Sequence, residues 1–413
     1  MAQRNMRAAV TIVSFICLAN CGGRPDATSM AGPPATPGPF EELVSPAGPG
    51  SETPHLAPGD AGPILSWLEP SSSDDQSFKL RFARLSAGEW SDPVEVVERS
   101  DLFVNWADFP SVVELPGERL AAHWLQYSGP GTYAYQVRLT FSEDGGATWS
   151  RAIVPHEALT ETEHGFVSLV PTADGVDVVW LDGRSYATDG DSAVMSIRHA
   201  TVATDGAVGR ETVLDPRTCD CCQTSVAEIP GGLVVAYRGR TAAEIRDIQV
   251  VRRVAGAWED PTLVHADGWH IPACPVNGPE IVAAGSDVRV AWFTAAVDSG
   301  RVYLARSSDA GATFEPPIRI DDGRPIGRVG TLALSGARTL VSWLEAVGAG
   351  EGAEVRARVV DAAGRTSASV PIGTSSVARA SGFPVLALAG DRIIVAWTDP
   401  DESRVRVAMA SAP

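Results

Sequence analysis

Lysine is almost absent from this chain of 413 residues: Lys79 is the one lysine, and arginine supplies the other positive side chains. Acidic residues outnumber basic ones, 51 to 33, and the formal net charge is -18. A negative field of this size repels phosphate, which excludes nucleic acids and anionic membrane surfaces as default partners. The arginines that remain can each hold a carboxylate through two parallel hydrogen bonds.

No apolar run is long enough to cross a membrane as a helix, and no segment has a convincing helical period. The stretch from Ala8 to Ala19 is apolar, about twelve residues long, and preceded by Arg4 and Arg7, a pattern typical of a signal peptide. Residues 1–20 are therefore predicted to be a targeting segment outside the fold, and the protein is predicted to be exported.

A second targeting pattern follows. Leu18-Ala19-Asn20-Cys21 resembles the lipobox of bacterial lipoproteins, which implies lipidation of Cys21 as the new N-terminus; an ordinary signal peptide with an incidental cysteine is the alternative. Gly22 and Gly23 come next, with no aspartate, so we expect an anchor in the outer membrane of a bacterium. Residues 21–40, rich in Pro, Gly, Ala and Ser, are predicted to be a flexible tether.

From there to the end, one pattern recurs: a short apolar strand that ends in an aromatic residue. Successive copies are 51 to 57 residues apart. A fixed period of this length with strand-like units indicates a propeller or a solenoid. The aromatic residues of the repeat are Trp67, Trp124, Trp180, Tyr237, Trp292, Trp343 and Trp397.

Each repeat has the strand order of a propeller blade. A short strand precedes the aromatic one, as in residues 111–113, and an alternating third strand follows it, as in residues 136–139. A fourth short strand closes the unit, as in residues 152–154 or 318–320. Four antiparallel strands per repeat make a blade, so residues 41–413 are predicted to form a single all-β propeller domain.

The last repeat stops without a fourth strand, whereas an orphan strand-like stretch, Glu42-Leu43-Val44, precedes the first. We predict that this N-terminal strand completes the last blade, which closes the ring and removes an exposed sheet edge. The count is then seven four-stranded blades. Six blades with an extra pair of strands are the alternative, because the first repeat is the least regular.

Two links between third and fourth strands share a pattern, Ser-x-Asp-x-Gly-x-Thr-aromatic, at residues 142–149 and 307–314. In a hairpin turn Asp accepts from backbone N–H groups and Gly takes a positive φ. The pattern resembles the Asp-box, or BNR repeat, of sialidase-like propellers. That resemblance, over residues 41–413, implies a propeller whose active site lies on one face and uses three arginines, a Tyr nucleophile with a Glu, and an Asp acid/base.

The family's early Arg-Ile-Pro motif is absent, and Asp108-Phe109-Pro110 is the nearest equivalent. The repeat nevertheless indicates which loops share a face: those between blades, and those from second to third strands. The mouth of a ring is the default ligand pocket. Candidates there for catalysis, as proton donors or, for the tyrosine, a nucleophile, are Asp182, Tyr186, Glu163 and Asp247. Candidates for ligand binding are the arginines Arg184, Arg246 and Arg328, which could clamp a carboxylate, with His164, Trp269 and Asn277.

Four cysteines remain after the targeting segment and Cys21: Cys219, Cys221, Cys222 and Cys274. They lie on adjacent inter-blade loops of that face, and an even number in an exported chain favours disulfides. One bridge between the first loop and Cys274 would join blades 4 and 5, although the sequence leaves connectivity open. The alternatives are free or redox-active thiols, and a copper or zinc site in which His270 joins the four cysteines.

Two classes of function follow. The first is a cell-surface propeller that binds a glycan or a protein at the Cys- and Arg-rich face, with no cofactor or with metal or redox chemistry at the cysteines. The second is a glycoside hydrolase resembling exo-α-sialidases. The missing Arg-Ile-Pro motif favours the first, whereas the acidic, arginine-rich mouth favours the second. In both cases we expect a monomer that meets a membrane through its lipid anchor alone.

Overall fold

The seven aromatic residues of the repeat are all buried, each in the second strand of an antiparallel sheet. The computed structural model describes residues 32–72, 76–350 and 352–413. These residues form seven sheets arranged as a seven-bladed β-propeller, which confirms the predicted fold. The six-bladed alternative is wrong, because the irregular first repeat also forms a complete blade.

The strands follow the order of the repeat. A short strand, β1 (Glu41–Leu43), precedes the blades. Blade 1 contains β2 (Glu52–Ala57), β3 (Ile64–Pro70), β4 (Phe78–Ser86), β5 (Glu89–Trp90) and β6 (Val94–Arg99). Blade 2 contains β7 (Ser111–Leu115), β8 (Arg119–Tyr127) and β9 (Tyr135–Ser142). Blade 3 contains β10 (His164–Pro171), β11 (Gly175–Asp182), β12 (Met195–Ala203) and β13 (Thr212–Thr218).

The second half of the ring is built in the same way. Blade 4 contains β14 (Ser225–Ile229), β15 (Gly232–Arg238), β16 (Ile248–Val254), β17 (Ala257–Trp258) and β18 (Thr262–Leu263). Blade 5 contains β19 (Glu280–Ala284), β20 (Asp287–Thr294), β21 (Arg301–Ser307) and β22 (Ile318–Arg319). Blade 6 contains β23 (Pro325–Leu334), β24 (Arg338–Ala346), β25 (Gly352–Val360) and β26 (Val370–Ser376). Blade 7 contains β27 (Val385–Ala389), β28 (Arg392–Asp399) and β29 (Arg404–Ser411).

Helix is limited, among the described residues, to three short 3-10 turns at Arg184–Ala187, Gly190–Ser192 and Arg379–Ser381. In blade 2 the predicted fourth strand is reduced to one bridge, in which Ile153 pairs with Leu139. No helix in the described part of the chain is both long and apolar enough to pass through a membrane.

The N-terminal strand closes the ring as predicted. β1 pairs antiparallel with β29, and Glu42 lies opposite Ala408. Arg406 makes an ion pair with Glu42 at 3.0 Å, and Leu43 packs against the apolar core between blades 7 and 1. The first and last strands of the described propeller therefore share one blade, and β1 covers the edge that β29 would otherwise expose.

The predicted tether already touches the propeller before it ends. The backbone N–H of Gly38 donates to the carbonyl of Ser411 at 3.1 Å, and Phe40 packs against the blade 6 and 7 core. The end of the 21–40 segment is thus held on blade 7. The predicted signal peptide, residues 1–20, and the predicted lipidation site, Cys21, lie outside the described residues.

β-Bulges at the start of the innermost strands help to fix the inter-blade loops. Phe166 in β10 and Arg328 in β23 both take a left-handed φ, 52° and 54°, where the strand register shifts. The shift turns a backbone N–H outward to a neighbouring blade. The N–H of Phe166 donates to Asp108, and that of Arg328 donates to Asn277, both at 2.7 Å.

The two Ser-x-Asp-x-Gly-x-Thr segments fold into the same turn. In the first, the Ser142 hydroxyl accepts from the N–H of Gly146 at 2.8 Å, and Asp144 accepts from the N–H of Thr148 at 2.8 Å. The segment at residues 307–314 repeats each of these contacts. The turns lie on the face opposite the inter-blade loops, so they support the blades and take no part in the site.

Candidate functional site

Charged and reactive side chains from blades 2 to 4 meet on the face formed by the inter-blade loops. We call this group the loop-face cluster. Its two halves are a tyrosine–carboxylate half and a cysteine–arginine half. Its members are Asp108, Tyr135, Glu163, Tyr186, Cys219, Asp220, Cys221, Cys222, Arg240, Glu244, Arg246 and Cys274.

Tyr135 joins two carboxyl groups. It begins β9, is fully buried, and stacks on Phe103 with the ring centroids 3.8 Å apart. Its hydroxyl lies 2.7 Å from Asp108 Oδ2 and 2.9 Å from Glu163 Oε1. One hydroxyl therefore spans the two carboxyl groups, which come from the loops on either side of blade 2.

This arrangement retains a proton. A phenol has one hydrogen to donate, so when both contacts are hydrogen bonds, one of the two carboxyls must carry its own proton. Burial raises the pKa of Asp108 to about 7. Burial, with the charges of Asp108, Asp220 and Cys219, raises the pKa of Glu163 to about 8, although the Tyr135 hydrogen bond opposes the change. The group thus holds a proton near neutral pH.

Glu163 is the outer member of this set. Asp108 is buried, and its other oxygen accepts the N–H of Phe166. A side chain at Gly165 would collide with Asp108 and with the Tyr135 ring, so this close packing requires glycine. Glu163 is half-buried. Tyr135 and Asp108 therefore form a fixed support behind a carboxyl group that a ligand can reach.

Tyr186 forms a second tyrosine–carboxylate contact. It lies on the 3-10 turn Arg184–Ala187 and is 46% exposed. Its hydroxyl donates to Asp220 Oδ1 at 2.7 Å. Burial and the Asp220 carboxylate raise the pKa of Tyr186 to about 12, so the phenol keeps its proton and directs it at a carboxylate. Arg240 donates to both oxygens of Asp220, at 3.1 and 3.0 Å.

The two tyrosine–carboxylate contacts are neighbours. The N–H of Gly183 donates to the carbonyl of Glu163 at 2.8 Å, and the N–H of Tyr186 donates to the carbonyl of Gly183 at 3.0 Å. The charge of Asp220 contributes to the raised pKa of Glu163. Backbone hydrogen bonds through Gly183 thus connect Glu163, whose carboxyl holds a proton, with Tyr186, whose hydroxyl donates to Asp220.

The cysteines occupy the other half of the cluster. The sulfurs of Cys221 and Cys274 lie at disulfide-bonding distance, with their Cα atoms 6.0 Å apart. The sulfurs of Cys219 and Cys222 are 3.1 Å apart and not bonded. The sulfurs of Cys219, Cys221 and Cys222 all lie within 4.8 Å of one another. His270 is exposed and does not join this group, so the described donor set for a metal is three sulfurs.

Asp182 has a role in blade packing. It accepts the indole N–H of Trp180 at 2.9 Å and three hydrogen bonds from Arg184, one from the backbone N–H and two from the guanidinium. Burial would raise the pKa of Asp182, but the Arg184 and Trp180 hydrogen bonds and the charge of His164 lower it to about 2. The same contact two residues after the repeat tryptophan recurs with Glu69 in blade 1 and Glu345 in blade 6. Asp182 is therefore an ionised acceptor within its blade.

The three predicted clamp arginines point at partners in different parts of the ring. Arg184 pairs with Asp182 and Glu211, and Arg246 pairs with Glu244. The buried Arg328 donates to the carbonyl of Ala378 at 3.1 Å, and its guanidinium lies 4.9 Å from the Trp106 ring centroid. Burial lowers the pKa of Arg328 to about 10. The carboxylate clamp stays a prediction that none of these contacts supports.

Other predicted site residues make structural contacts. Asp247 accepts the N–H groups of Gly268 and Trp269, both at 2.9 Å. Trp269 is 7% exposed, with its ring edge-on to Phe293. Asn277 holds the bulge at Arg328. The remaining ligand candidate, His164, is buried, donates from its Nδ1 to the Thr162 carbonyl at 3.0 Å, and stacks on His156.

The sequence-based candidates did not include five members of the cluster, namely Asp108, Tyr135, Asp220, Arg240 and Glu244. All five lie in or next to the loops that the repeat places on this face. Loop position alone was thus an available indication for them. The pairing of Tyr135 with Glu163 was not predictable, because it depends on the bulge that follows Glu163 in β10.

Comparisons with known proteins agree on the fold. No protein-family model matches the chain, and no curated protein matches its sequence. Phage phi92 endosialidase is similar in structure, with 9% identity over 91% of this chain and 69% of that chain and a TM-score of 0.50. The polysaccharide lyase Uly1 has 9% identity over 88% of this chain and 90% of that chain, with a TM-score of 0.51. At these identities the similarity shows the propeller fold alone.

Proposed function

We propose that this propeller binds a glycan at the loop-face cluster and hydrolyses a glycosidic bond there. One observation carries the proposal: Glu163, whose carboxyl holds a proton, is joined by backbone hydrogen bonds through Gly183 to the half-exposed Tyr186, whose hydroxyl donates to Asp220. By their names, the endosialidase and the lyase of similar fold act on glycans, which supports the substrate class.

Glu163 would act as the acid. Its raised pKa keeps the carboxyl protonated at neutral pH, as a general acid requires, and the proton passes to the oxygen of the leaving sugar. Tyr135 and Asp108 are positioning residues, since the Tyr135 hydroxyl contacts Glu163 and Asp108 contacts that hydroxyl. Once the leaving group departs, Glu163 is a carboxylate and can take a proton from water in the second half of the reaction.

Tyr186 would act as the nucleophile. Its oxygen attacks the anomeric carbon while its proton passes to Asp220, 2.7 Å away, and a glycosyl–tyrosine intermediate forms. Glu163 then deprotonates a water molecule, which attacks the anomeric carbon and releases the sugar. The departing Tyr186 phenolate takes its proton back from Asp220. Arg240 holds Asp220 in place through both carboxylate oxygens. Two displacements at the same carbon would retain its configuration.

A neutral glycan suits the cluster better than a sialoside. Recognition of a sugar carboxylate requires free guanidinium groups, whereas Arg184 and Arg246 are paired with acidic side chains and Arg328 donates to backbone carbonyls. For the exo-α-sialidase alternative, these arginines would therefore have to leave their present partners before they could bind the carboxylate of a sialoside. Export, with a lipid anchor at Cys21 in the outer membrane, would place the site where extracellular glycans are available.

The test is hydrolysis of a panel of aryl glycosides, neutral hexosides and pentosides together with a sialoside, by the full chain. Glu163→Gln should lower kcat by about 10²–10⁴-fold, and by less for substrates with better leaving groups, because those need less protonation. Tyr186→Phe should abolish turnover of every substrate. The matched controls are Glu161→Gln and Tyr133→Phe, which change exposed residues of the same types on nearby loops.

Turnover that survives Tyr186→Phe would overturn the nucleophile assignment. Hydrolysis of the sialoside alone would replace the neutral substrate with the exo-sialidase alternative. If the folded protein hydrolyses none of the substrates, binding to an array of immobilised glycans separates a binding propeller from a protein without glycan recognition. The second outcome would overturn the proposal.

A further inference from the structure

The four cysteines form a path from the surface to the interior. Cys274 is exposed and Cys221 is half-buried, whereas Cys219 and Cys222 are buried. The Cys219 sulfur lies 4.0 Å from that of Cys221 and 3.1 Å from that of Cys222. The buried Cys219 sulfur therefore lies near both Cys221, which belongs to the outer pair with Cys274, and the inner Cys222.

Positive charge surrounds the central sulfur. Arg246 donates to the Cys219 sulfur at 3.3 Å. Burial alone would raise the pKa of Cys219, but hydrogen bonds from Cys222 and from the Cys221 backbone, with the charges of Arg238 and Arg246, lower it. Burial and then Cys219 itself raise the pKa of Cys222. Cys219 is thus the thiolate of the inner pair, and a thiolate is the form that attacks a disulfide.

We propose that these cysteines form an internal thiol–disulfide relay, in which one disulfide moves between the outer pair, Cys221–Cys274, and the inner pair, Cys219–Cys222. The activity is separate from glycan cleavage and does not depend on it. The relay depends on how the four sulfurs are arranged, because each exchange joins two sulfurs that already lie near each other.

Two exchanges move the disulfide inward. The Cys219 thiolate attacks the Cys221 sulfur, the Cys221–Cys274 bond breaks, and Cys274 leaves with the electron pair as a thiolate that takes a proton from water. The Cys222 sulfur then attacks Cys219, the Cys219–Cys221 bond breaks, and Cys221 leaves and takes the proton that Cys222 gives up. The inner pair has lost two electrons, and the outer pair has gained them.

A thiolate-bound metal would use the same sulfurs in a different way. It needs the Cys221 thiol free rather than paired with Cys274. It also needs the face of Cys219 that the Arg246 guanidinium now covers. These contacts favour exchange chemistry, and metal occupancy becomes an outcome of the test.

The experiment equilibrates the full chain in mixtures of reduced and oxidised dithiothreitol. Acid stops the exchange, free thiols are alkylated, and peptide mass spectrometry assigns each disulfide. The proposal predicts both Cys221–Cys274 and Cys219–Cys222 linkages in the protein that has one disulfide. In Cys222→Ser the inner pair cannot form, so the Cys219–Cys221 intermediate should accumulate beside the outer pair.

Cys219→Ser is the matched control, because it removes the central sulfur. In this variant Cys221–Cys274 should be the one linkage that forms among these cysteines. The relay is overturned if Cys219 and Cys222 are fully alkylated at every buffer ratio, or if the purified chain carries one copper or zinc ion per molecule that protects its thiols. Thermal unfolding checks the variants. If they do not fold, the linkages in the unchanged chain decide the matter.

Discussion

The Tyr135 hydroxyl lies 2.9 Å from the Glu163 carboxyl, across the boundary between blades 2 and 3. Asp108, 2.7 Å from the same hydroxyl, completes a set of two carboxyls on one phenol. The first consequence is that the native protein keeps a proton on this group at pH values above the usual pKa of glutamate. The second is a link between the acid group of the proposed reaction and the packing of two blades.

The retained proton should appear in the stability of the protein. The native pKa of Glu163, about 8, exceeds the value of about 4.3 expected in the unfolded chain, so the native state holds an additional proton between these pH values. Its stabilising effect is complete below about pH 4.3 and is lost as pH rises towards 8. Glu163→Gln removes this titrating group. The free energy of unfolding of the variant should therefore fall less steeply with rising pH over that range than that of the unchanged chain.

The difference in slope is at most about 1.4 kcal/mol per pH unit for one proton. Urea unfolding of both proteins at pH 5, 6, 7 and 8 measures it. Glu280→Gln is a useful second variant, because burial raises the pKa of Glu280 to about 7 and its carboxyl accepts from the Ser225 hydroxyl, not from Tyr135. Parallel stability curves for Glu163→Gln and the unchanged chain would show that Glu163 titrates normally.

Asp182→Asn should damage stability and spare activity. The change weakens the hydrogen bonds to the Trp180 indole and to Arg184 within blade 3. We expect the free energy of unfolding to fall by about 2 kcal/mol, the scale of a lost hydrogen bond to a charged group. Urea unfolding and kcat per folded molecule check this. Unchanged stability with lost turnover would restore Asp182 as a proton donor.

The closing strand offers a prediction with a neighbouring control. Leu43→Asp places a charge in the apolar contact between β1 and the blade 7–blade 1 core, which should cost about 2 kcal/mol of unfolding free energy. Val44→Asp changes the next residue, which is 83% exposed, and should cost no more than about 0.5 kcal/mol. Thermal and urea unfolding compare them. Equal effects would contradict the role of β1 in ring closure.

Arg328 provides a test of the carboxylate clamp. Arg328→Ala removes the guanidinium hydrogen bonds to the Ala378 carbonyl and the Ser381 hydroxyl, which should lower the free energy of unfolding by about 2–3 kcal/mol. A folded Arg328→Ala protein should bind a sialoside as the unchanged chain does. A raised KM for the sialoside at unchanged stability would instead support the clamp.

The fold was predictable because its evidence is local and repeated. An aromatic residue at the end of an apolar strand, at intervals of 51 to 57 residues, marks each blade, and the orphan strand Glu41–Leu43 marks the closure. Each repeat gives independent evidence for the same unit. The fourth strand of blade 2 was the exception, since its apolar residues 152–154 form only one bridge.

The site was less predictable because its contacts join distant loops. The pairing of Tyr135 with Asp108 spans 27 residues and depends on a bulge at Gly165 and Phe166. The structural role of Asp182, however, was predictable from the sequence alone. Trp180-Leu181-Asp182 has counterparts at Trp67-Leu68-Glu69 and Trp343-Leu344-Glu345, and a polar residue that recurs with the repeat indicates a structural role.

The most direct measurement is the pH dependence of kcat/KM for a neutral aryl glycoside, in the unchanged chain and in Tyr135→Phe. Activity should fall above about pH 8, as Glu163 loses its proton. The Tyr135 hydrogen bond lowers the pKa of Glu163, so Tyr135→Phe should move this fall to higher pH. A fall at the same pH in both proteins, or no hydrolysis of any glycoside, would contradict the account.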